Sequence, residues 1–184
     1  MNIEIEIKVR VANLDSAREI IRKIGTFVKQ VNQVDTYFVP KDNDYFALER
    51  VVEFLRIREQ EGKDEVAYHK VIGLDTAEEH SQEFESTISN PEIMKGIFSK
   101  IGMIERFVVR KQREYYECGD FEVVLDTVDD LGEFIEVEVI AKNREEFTKE
   151  SCHDFLTKNG IGFRENIIYG YPELLKLKEQ GKFE

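Results

Sequence analysis

The chain has 184 residues, of which 41% are hydrophobic and 35% charged, and its formal net charge is −12. This length fits one domain with a sizeable core or two small domains, and we expect residues 1–184 to form a single domain because no linker rich in Gly, Pro or Ser divides them. The acidic balance argues against nucleic-acid binding, which needs a basic face, and no apolar run approaches the roughly 20 residues that cross a membrane.

Alternation of apolar and polar residues predicts eight strands, because every second side chain of a strand points to the same face. In chain order they are Ile3–Val11, Gln33–Val39, Val51–Glu59, Glu65–Ile72, Ser81–Ile88, Phe107–Tyr116, Phe121–Asp126 and Glu133–Ile140. Helices are predicted at Leu14–Ile24, Glu92–Ile101 and Arg144–Lys158, with a last short helix from Pro172.

The two halves of the chain repeat the same order of elements. A strand with Glu4-Ile5-Glu6 or Glu83-Phe84-Glu85 is followed by a helix ending in Lys-Ile-Gly, and then by three strands. Two such copies predict an α+β fold with an eight-stranded, mostly antiparallel sheet. Closing this sheet into a barrel, with the helices packed outside, would remove its exposed edges and create an interior for a small ligand.

The first predicted strand has an apolar face and a charged face. Glu4, Glu6 and Lys8 alternate with apolar residues. Carboxylate oxygens suit hard cations such as Mg²⁺ or Mn²⁺, and a lysine beside them suits a phosphate. For one strand alone, a solvated face of an antiparallel sheet explains the pattern as well.

The same ionised face recurs on the later strands, and the signs of the charges sort by strand. Residues two apart give Arg56 with Arg58, Tyr68 with Lys70, Glu83 with Glu85, Lys111 with Arg113, Glu122 with Asp126, and Glu136 with Glu138. Arginines and lysines can bind several phosphate oxygens, and carboxylates from different strands can hold divalent cations. Burying either sign alone is costly, so the whole set favours an interior that binds a triphosphate with metal ions. His69 lies on the opposite face from Lys70, where we expect a packed or solvated histidine.

These motifs resemble the CYTH domain, the superfamily of triphosphate tunnel metalloenzymes that includes class IV adenylyl cyclases and thiamine triphosphatases. The family's Glu-x-Glu-x-Lys motif stands at Glu4, Glu6 and Lys8, and its paired-arginine strand is similar to Leu55-Arg56-Ile57-Arg58. Further similar segments are Lys70, Glu83 with Glu85, Lys111-Gln112-Arg113, Asp126, Leu131–Glu138 and Tyr171–Leu175.

The resemblance implies an eight-stranded antiparallel tunnel with charged residues in its lumen. It implies that Glu4, Glu6 and Glu136, together with Asp126 and Glu138, coordinate Mg²⁺ or Mn²⁺. It assigns triphosphate binding to Lys8, Arg56, Arg58, Lys70, Lys111 and Arg113. Glu83 and Glu85 would orient these basic residues or assist a second metal, and the catalytic residues would be Glu4, Glu6, Lys8 and Glu136.

The chain length, the Lys-Gln-Arg strand and the Leu-Gly-x-Phe-x-Glu segment look most like the class IV cyclase branch, which converts ATP to cyclic AMP and pyrophosphate. A triphosphatase acting on tripolyphosphate, thiamine triphosphate or a nucleoside triphosphate is the alternative, because both reactions use the same charged residues. A non-catalytic module that binds an organic phosphate is the rival from another class.

The expected partner is therefore a small triphosphate, ATP or tripolyphosphate, without nucleic acid or membrane, and an exposed barrel rim could support a homodimer. The N-terminus is acidic and unlike a signal peptide. Cys118 and Cys152 have neither a disulfide framework nor metal-ligand spacing. A cytoplasmic location is the corresponding expectation.

Overall fold

A computed structural model describes residues 5–48, 50–72 and 80–184, so the predicted metal ligand Glu4 lies outside the described residues. The described residues form an α+β fold, as the sequence predicts. Its strands are β1 (Glu6–Arg10), β2 (Thr26–Pro40), β3 (Glu53–Gln60), β4 (Asp64–Ile72), β5 (His80–Ile88), β6 (Met103–Cys118), β7 (Phe121–Val128), β8 (Gly132–Val139) and β9 (Glu165–Ile167). Its α-helices are α1 (Leu14–Ile24), α2 (Pro91–Lys100), α3 (Lys149–Lys158) and α4 (Tyr171–Glu179). Across the described ranges, no helix has the length and apolar character needed to cross a membrane.

The strands form a large sheet in the order β5-β4-β3-β2-β6-β7-β8-β1-β9. The pairs with a defined register are antiparallel, as predicted. The sequence did not predict β9, whose three residues pair with the edge of β1 that β8 leaves open. Within the described residues, this order of strands is not closed into a ring by backbone hydrogen bonds.

Two long strands and one helix differ from the predicted bounds by four residues or more. β2 and β6 begin at Thr26 and Met103, directly after the glycines that follow α1 and α2. Their first residues are mostly exposed and lack the alternation on which strand prediction depends. α3 begins at Lys149 and not at Arg144, because Ser151 Oγ accepts a hydrogen bond from the Thr148 N–H at 3.1 Å and caps the helix there.

By its internal contacts the chain divides into two compact units. The first unit is Met1–Val31 with Lys111–Tyr169, and the second is Asn32–Arg110 with Gly170–Glu184. The boundaries fall inside β2 and β6, so each of these strands contributes to both units. The assignment of residues 1–184 to a single domain stays a prediction.

In the first unit, one face of the sheet builds the apolar core with α1 and α3. The buried side chains include Val9, Ile21, Val123, Ile135, Val137, Cys152 and Leu156, all fully excluded from solvent. Asn13 begins α1 by accepting a hydrogen bond from the Ser16 N–H at 3.0 Å. Because strand side chains alternate, the polar residues between the core positions lie on the opposite face.

In the second unit, α2 packs on one face of β2 and β3. Phe98 of α2 is buried with Phe38 and Ile57, and the Phe38 and Phe98 rings meet edge to face at 5.2 Å. Asn90 begins α2 by accepting a hydrogen bond from the Ile93 N–H at 3.0 Å. The opposite face of these strands again carries charged side chains.

Candidate functional site

Glu136 of β8 joins two basic residues on the charged face of the first unit. The register places it opposite Lys8 of β1, and Lys8 Nζ lies 3.2 Å from Glu136 Oε1. Arg113 of β6 approaches from the other side, with its Nη2 at 2.7 Å from Glu136 Oε2. Three residues that the sequence assigned to one site therefore meet at a single carboxylate.

The surrounding cations keep Glu136 ionised. Burial alone would raise the pKa of Glu136, but Arg113, Lys8 and Lys111 outweigh burial and lower it to about 2. The Lys8 and Glu136 side chains are only 18% and 15% exposed, so solvent screens their attraction weakly. A carboxylate in this state can accept hydrogen bonds or bind a cation at neutral pH, and it does not act as a proton donor.

Asp126 of β7 holds the guanidinium of Arg113. The two residues are opposite each other in the register, and Asp126 is completely buried. Arg113 Nε donates to Asp126 Oδ1 at 2.8 Å, and Arg113 Nη2 donates to Oδ2. Such a bidentate ion pair fixes the plane of the guanidinium. The structure therefore shows Asp126 positioning Arg113, while its predicted role as a metal ligand stays a prediction.

Further carboxylates continue along this face beyond Glu136. Glu138 of β8 lies opposite Glu6 of β1 on one side and opposite Glu122 of β7 on the other. Burial raises the pKa of Glu122, and the nearby cations Lys29 and Arg113 offset the rise only in part. The charged face thus continues from Glu136 into a run of carboxylates on three adjacent strands.

The donor chemistry fits a hard divalent cation. Over the described ranges, no three His, Cys, Asp or Glu side chains are close enough together to hold a metal ion by themselves. Mg²⁺ commonly takes only one or two carboxylates and completes its shell with water and substrate phosphates. Glu6, Glu136 and Glu138 supply carboxylates of this kind on two adjacent strands.

Lys29 is a basic residue of this unit that was not predicted from the sequence to belong to the site. Its Nζ lies 4.6 Å from the centre of the Tyr115 ring, and Arg113 Cζ lies 5.9 Å from the same ring. The predicted strand began only at Gln33, so Lys29 was not assigned to any strand face. Its position on β2 could have been inferred only from pairing with another strand.

In the second unit, Arg58 of β3 forms a bidentate ion pair with Asp35 of β2. Arg58 Nε donates to Asp35 Oδ1 at 2.6 Å, and Arg58 Nη2 donates to Oδ2 at 2.8 Å. Asp35 is 1% exposed and lies opposite Arg58 in the register. Asp35 was not predicted to belong to the site, although alternation places Asp35 and Tyr37 on one face of the strand.

Arg56 lies next to Arg58 on the same face, opposite Tyr37. Among the described residues, the buried Nε of Arg56 has no hydrogen-bond partner. Burial and Asp35 raise the pKa of Tyr37 to about 12, although Arg56 and Arg58 act in the opposite direction. Buried donors normally find an acceptor, so this N–H suits an incoming anion.

Lys70 lies on the other face of the sheet from the paired arginines. Arg56 is opposite Ala67 and Glu53 is opposite Lys70, so Lys70 shares its face with Glu53. Its Nζ forms an ion pair with Glu53 Oε2 at 3.1 Å. The expectation that Lys70 lies beside the arginines is therefore wrong, because one step along a strand changes the face and only the register decides which face the arginines share.

On the arginine face, β4 presents His69. The His69 ring stacks on Phe54 with centres 4.8 Å apart, and its Nε2 lies 3.6 Å from Glu83 Oε1. Burial lowers the pKa of His69, and Glu83 partly opposes this effect. Glu83 and Glu85 are opposite His69 and Ala67, so both carboxylates lie on the arginine face. Their supporting role stays a prediction.

The family model of the CYTH domain matches residues 2–162. A Methanocaldococcus jannaschii protein named "Putative adenylate cyclase" is 37% identical over 169 residues, which cover 90% of this chain and 94% of that protein. A solved structure from Pyrococcus horikoshii shares the fold with a TM-score of 0.71 and 27% identity, over 93% of this chain and 98% of the other. A Hippeastrum protein, called a "Putative adenylyl cyclase" with a dominant triphosphatase activity, has a TM-score of 0.68 and 19% identity, over 99% and 98% of the two chains.

Proposed function

The chain belongs to the CYTH domain family, and we propose that it is a metal-dependent enzyme that converts ATP to cyclic AMP and pyrophosphate. The family comprises adenylyl cyclase-like and triphosphatase enzymes, and its triphosphate tunnel enzymes use divalent metals. The observation that carries the proposal is Glu136 between Lys8 and Arg113, on the face opposite the apolar core. The 37% identity to a protein named as an adenylate cyclase favours the cyclase reaction.

The basic residues would bind the phosphates by donating their hydrogen bonds to phosphate oxygens in place of a protein carboxylate. Lys8 and Arg113 are paired with Glu136, and phosphate oxygens can replace that carboxylate because both are anionic acceptors of charge-assisted hydrogen bonds. Asp126 would keep the Arg113 guanidinium in place during the exchange. Lys111, 7% exposed, would add a further positive charge.

Family membership extends the same proposal to two arginines of the second unit. Arg58 is held by Asp35, and Arg56 has a buried donor without a partner among the described residues. A guanidinium has five N–H donors, so a carboxylate can orient it while other donors bind phosphate. Lys70 is not included in the proposed site, because it lies on the opposite face.

A divalent cation, Mg²⁺ or Mn²⁺, held by Glu4, Glu6, Glu136 and Glu138, would neutralise phosphate charge and act as a Lewis acid. The protein's own contribution is positioning and electrostatic stabilisation, which dominate phosphoryl-transfer catalysis. In the proposed reaction the ribose 3′-oxygen attacks the α-phosphorus and pyrophosphate leaves. Lys8, Lys111 and Arg113 would stabilise the charge that develops on the leaving pyrophosphate.

Triphosphate hydrolysis is the second candidate. In that reaction water attacks the terminal phosphorus, while the same basic residues and carboxylates are used. The observation in its favour is the Hippeastrum protein of the same fold, whose dominant activity is that of a triphosphatase. The two reactions differ in which phosphorus faces the nucleophile.

Product analysis separates the candidates. The protein is incubated with ATP or tripolyphosphate, each with Mg²⁺, Mn²⁺ or EDTA, and the products are identified by chromatography. Cyclic AMP with pyrophosphate would support the cyclase, whereas orthophosphate without cyclic AMP would overturn it in favour of a triphosphatase. Metal-independent binding with no turnover would instead support a phosphate-binding module.

A matched pair of lysine variants tests whether the charged face is responsible for the enzymatic activity. Lys8 and Lys95 are 18% and 19% exposed, and each forms an ion pair with a glutamate. We expect Lys8→Gln to lower kcat/KM by about 100-fold or more, because a charge that contacts the phosphates is lost. Lys95→Gln, outside the proposed site, should change kcat/KM by no more than about twofold. Equal effects of the two variants would contradict the assignment.

A further inference from the structure

Gln33 of β2 is a buried amide that the proposed mechanism does not use. The residue is only 3% exposed, and its Nε2 donates a hydrogen bond to Gln60 Oε1 of β3 at 2.6 Å. Among the described residues, Gln33 Oε1 has no hydrogen-bond partner. A buried acceptor that stays unpaired destabilises the folded protein, so Gln33 Oε1 suits a hydrogen-bond donor that a ligand brings.

The amide pair lies on the face of the sheet that carries the paired arginines. The register sets Gln33 opposite Gln60 and Asp35 opposite Arg58, and residues two apart on a strand share a face. The amide pair is therefore the next pair along this face from the bidentate ion pair, about 7 Å away. A substrate whose phosphates contact Arg58 can thus bring its organic part to Gln33.

We infer that Gln33 is a specificity-determining residue, whose Oε1 accepts a hydrogen bond from the exocyclic amino group of adenine in ATP. The inference rests on the proposed function, in which Arg58 binds the phosphates of the same molecule. Amide side chains recognise adenine because this base presents an N–H donor beside a ring-nitrogen acceptor. The Gln60 amide carries N–H donors of the kind that this ring nitrogen accepts.

Inosine triphosphate, ITP, separates recognition of the amino group from contact with any purine. It has the ribose, triphosphate and fused rings of ATP, but a carbonyl oxygen replaces the amino group. That oxygen would face Gln33 Oε1 and leave both acceptors unpaired. A site that hydrogen-bonds a substrate group rejects the analogue that lacks it, because its own buried group then stays unpaired. We therefore expect kcat/KM to be at least about 10-fold higher for ATP than for ITP.

The experiment compares the wild type with Gln33→Met and Thr36→Val. Methionine is close to glutamine in size but has no amide oxygen. Thr36 is the control, because it is 2% exposed on the same strand but lies on the opposite face, paired with Ile57. Consumption of ATP and of ITP with Mg²⁺ is measured, whichever product forms. Gln33→Met should bring the ratio of the two kcat/KM values to within about twofold of one, whereas Thr36→Val should keep the wild-type ratio.

Tripolyphosphate tests whether Gln33 acts on the base or only supports the arginine beside it. This ligand has no base, so the rise in Tm that it causes with Mg²⁺ should be the same in the wild type and in Gln33→Met. The rise caused by ATP should be smaller in Gln33→Met, and the rise caused by ITP should not change. An equal loss with tripolyphosphate and with ATP would overturn the inference, because Gln33 would then only hold Arg58 in place.

The outcomes separate this inference from the proposed cyclase. A protein that releases orthophosphate without cyclic AMP, yet prefers ATP to ITP through Gln33, would overturn the cyclase and support the inference. A cyclase that uses ATP and ITP equally would overturn only the inference. If neither nucleotide is consumed, the rises in Tm at matched concentrations replace the kcat/KM values, and equal rises overturn the inference. A preference for ITP would also overturn it, because the Gln33 amide would then present its N–H group to the base.

Discussion

At Glu136, the charge of the candidate site and the stability of the fold depend on the same carboxylate. Its pKa falls from an ordinary 4.5 to about 2 in the folded protein. A carboxylate whose pKa is lowered by folding stabilises the protein above its unfolded pKa. That contribution is lost as pH falls from about 4.5 toward about 2, and its full size is about 3 kcal/mol.

Glu136→Gln should therefore destabilise the protein most at neutral pH. We expect a loss of about 3 kcal/mol in urea unfolding at pH 7, because Lys8 and Arg113 lose the carboxylate that they share. The two stability curves should converge as pH falls through the window from about 4.5 to about 2. Glu150→Gln on the exposed side of α3 should follow the wild type at every pH. A difference in unfolding free energy between wild type and Glu136→Gln that does not change with pH would contradict the link between Glu136 ionisation and stability.

The pair between Arg58 and Asp35 predicts a different effect. Arg58→Lys keeps the positive charge but cannot reproduce the two hydrogen bonds to Asp35, at 2.6 and 2.8 Å. Under the proposed function, the substrate KM should rise by about 10-fold, because lysine is not held in one plane. Arg106→Lys is the control, since Arg106 contacts Asp44 and Glu179 at 3.1 and 3.0 Å away from the proposed site. The stability of Arg106→Lys should fall while its KM stays unchanged. An unchanged KM in Arg58→Lys would exclude Arg58 from substrate binding.

At the scale of elements, the register of β4 gives a prediction opposite to that from the sequence. Lys70 pairs with Glu53 on one face, whereas Arg56 lies on the other. We expect Lys70→Gln to change the substrate KM by no more than about twofold, because strand side chains on opposite faces do not line one site. Arg56→Gln should raise KM by about 10-fold, since a charge-assisted hydrogen bond to phosphate is lost. A larger effect at Lys70 than at Arg56 would mean that β4 is paired differently in solution.

The elements that the sequence predicted well are those with local causes. α1 has the predicted bounds because its first residues are capped by Asn13 and its end is followed by Gly25, both visible in the sequence. β9 could not be predicted, because its three residues form a strand only by pairing with β1. For the same reason, alternation separated the two faces of β4, but only the register with β3 shows which β4 residues lie on the same face as Arg56. Lys29 was missed because the exposed start of β2 lacks alternation, and Asp35 was missed because its partner Arg58 lies on another strand.

At the scale of the whole molecule, the internal repeat describes the order of elements but not their pairing. β1 opens the first half of the sequence, yet it pairs with β8 of the second half. β5 opens the second half, yet it pairs with β4 of the first. The repeat also hides an exchange of charge: Asp35 of β2 holds Arg58 of β3, whereas Arg113 of β6 is held by Asp126 of β7. The two similar sequence halves thus form equivalent ion pairs, but the strand that carries the acid in one half carries the base in the other.

The net charge of −12 should make binding of a polyanion dependent on metal. Local basic residues must attract a triphosphate against the field of the whole molecule, and a divalent cation reduces that repulsion. At a ligand concentration 100 times Kd, the folded state gains about 2.7 kcal/mol, which for a chain of this size raises Tm by roughly 5–10 °C. Calorimetry should show this rise with tripolyphosphate and Mg²⁺, and only a small part of it when EDTA is present or sulfate at equal ionic strength replaces tripolyphosphate. An equal rise in EDTA would contradict metal-dependent binding and favour a phosphate-binding module, since the carboxylates of β1 and β8 would then take no part in holding the ligand.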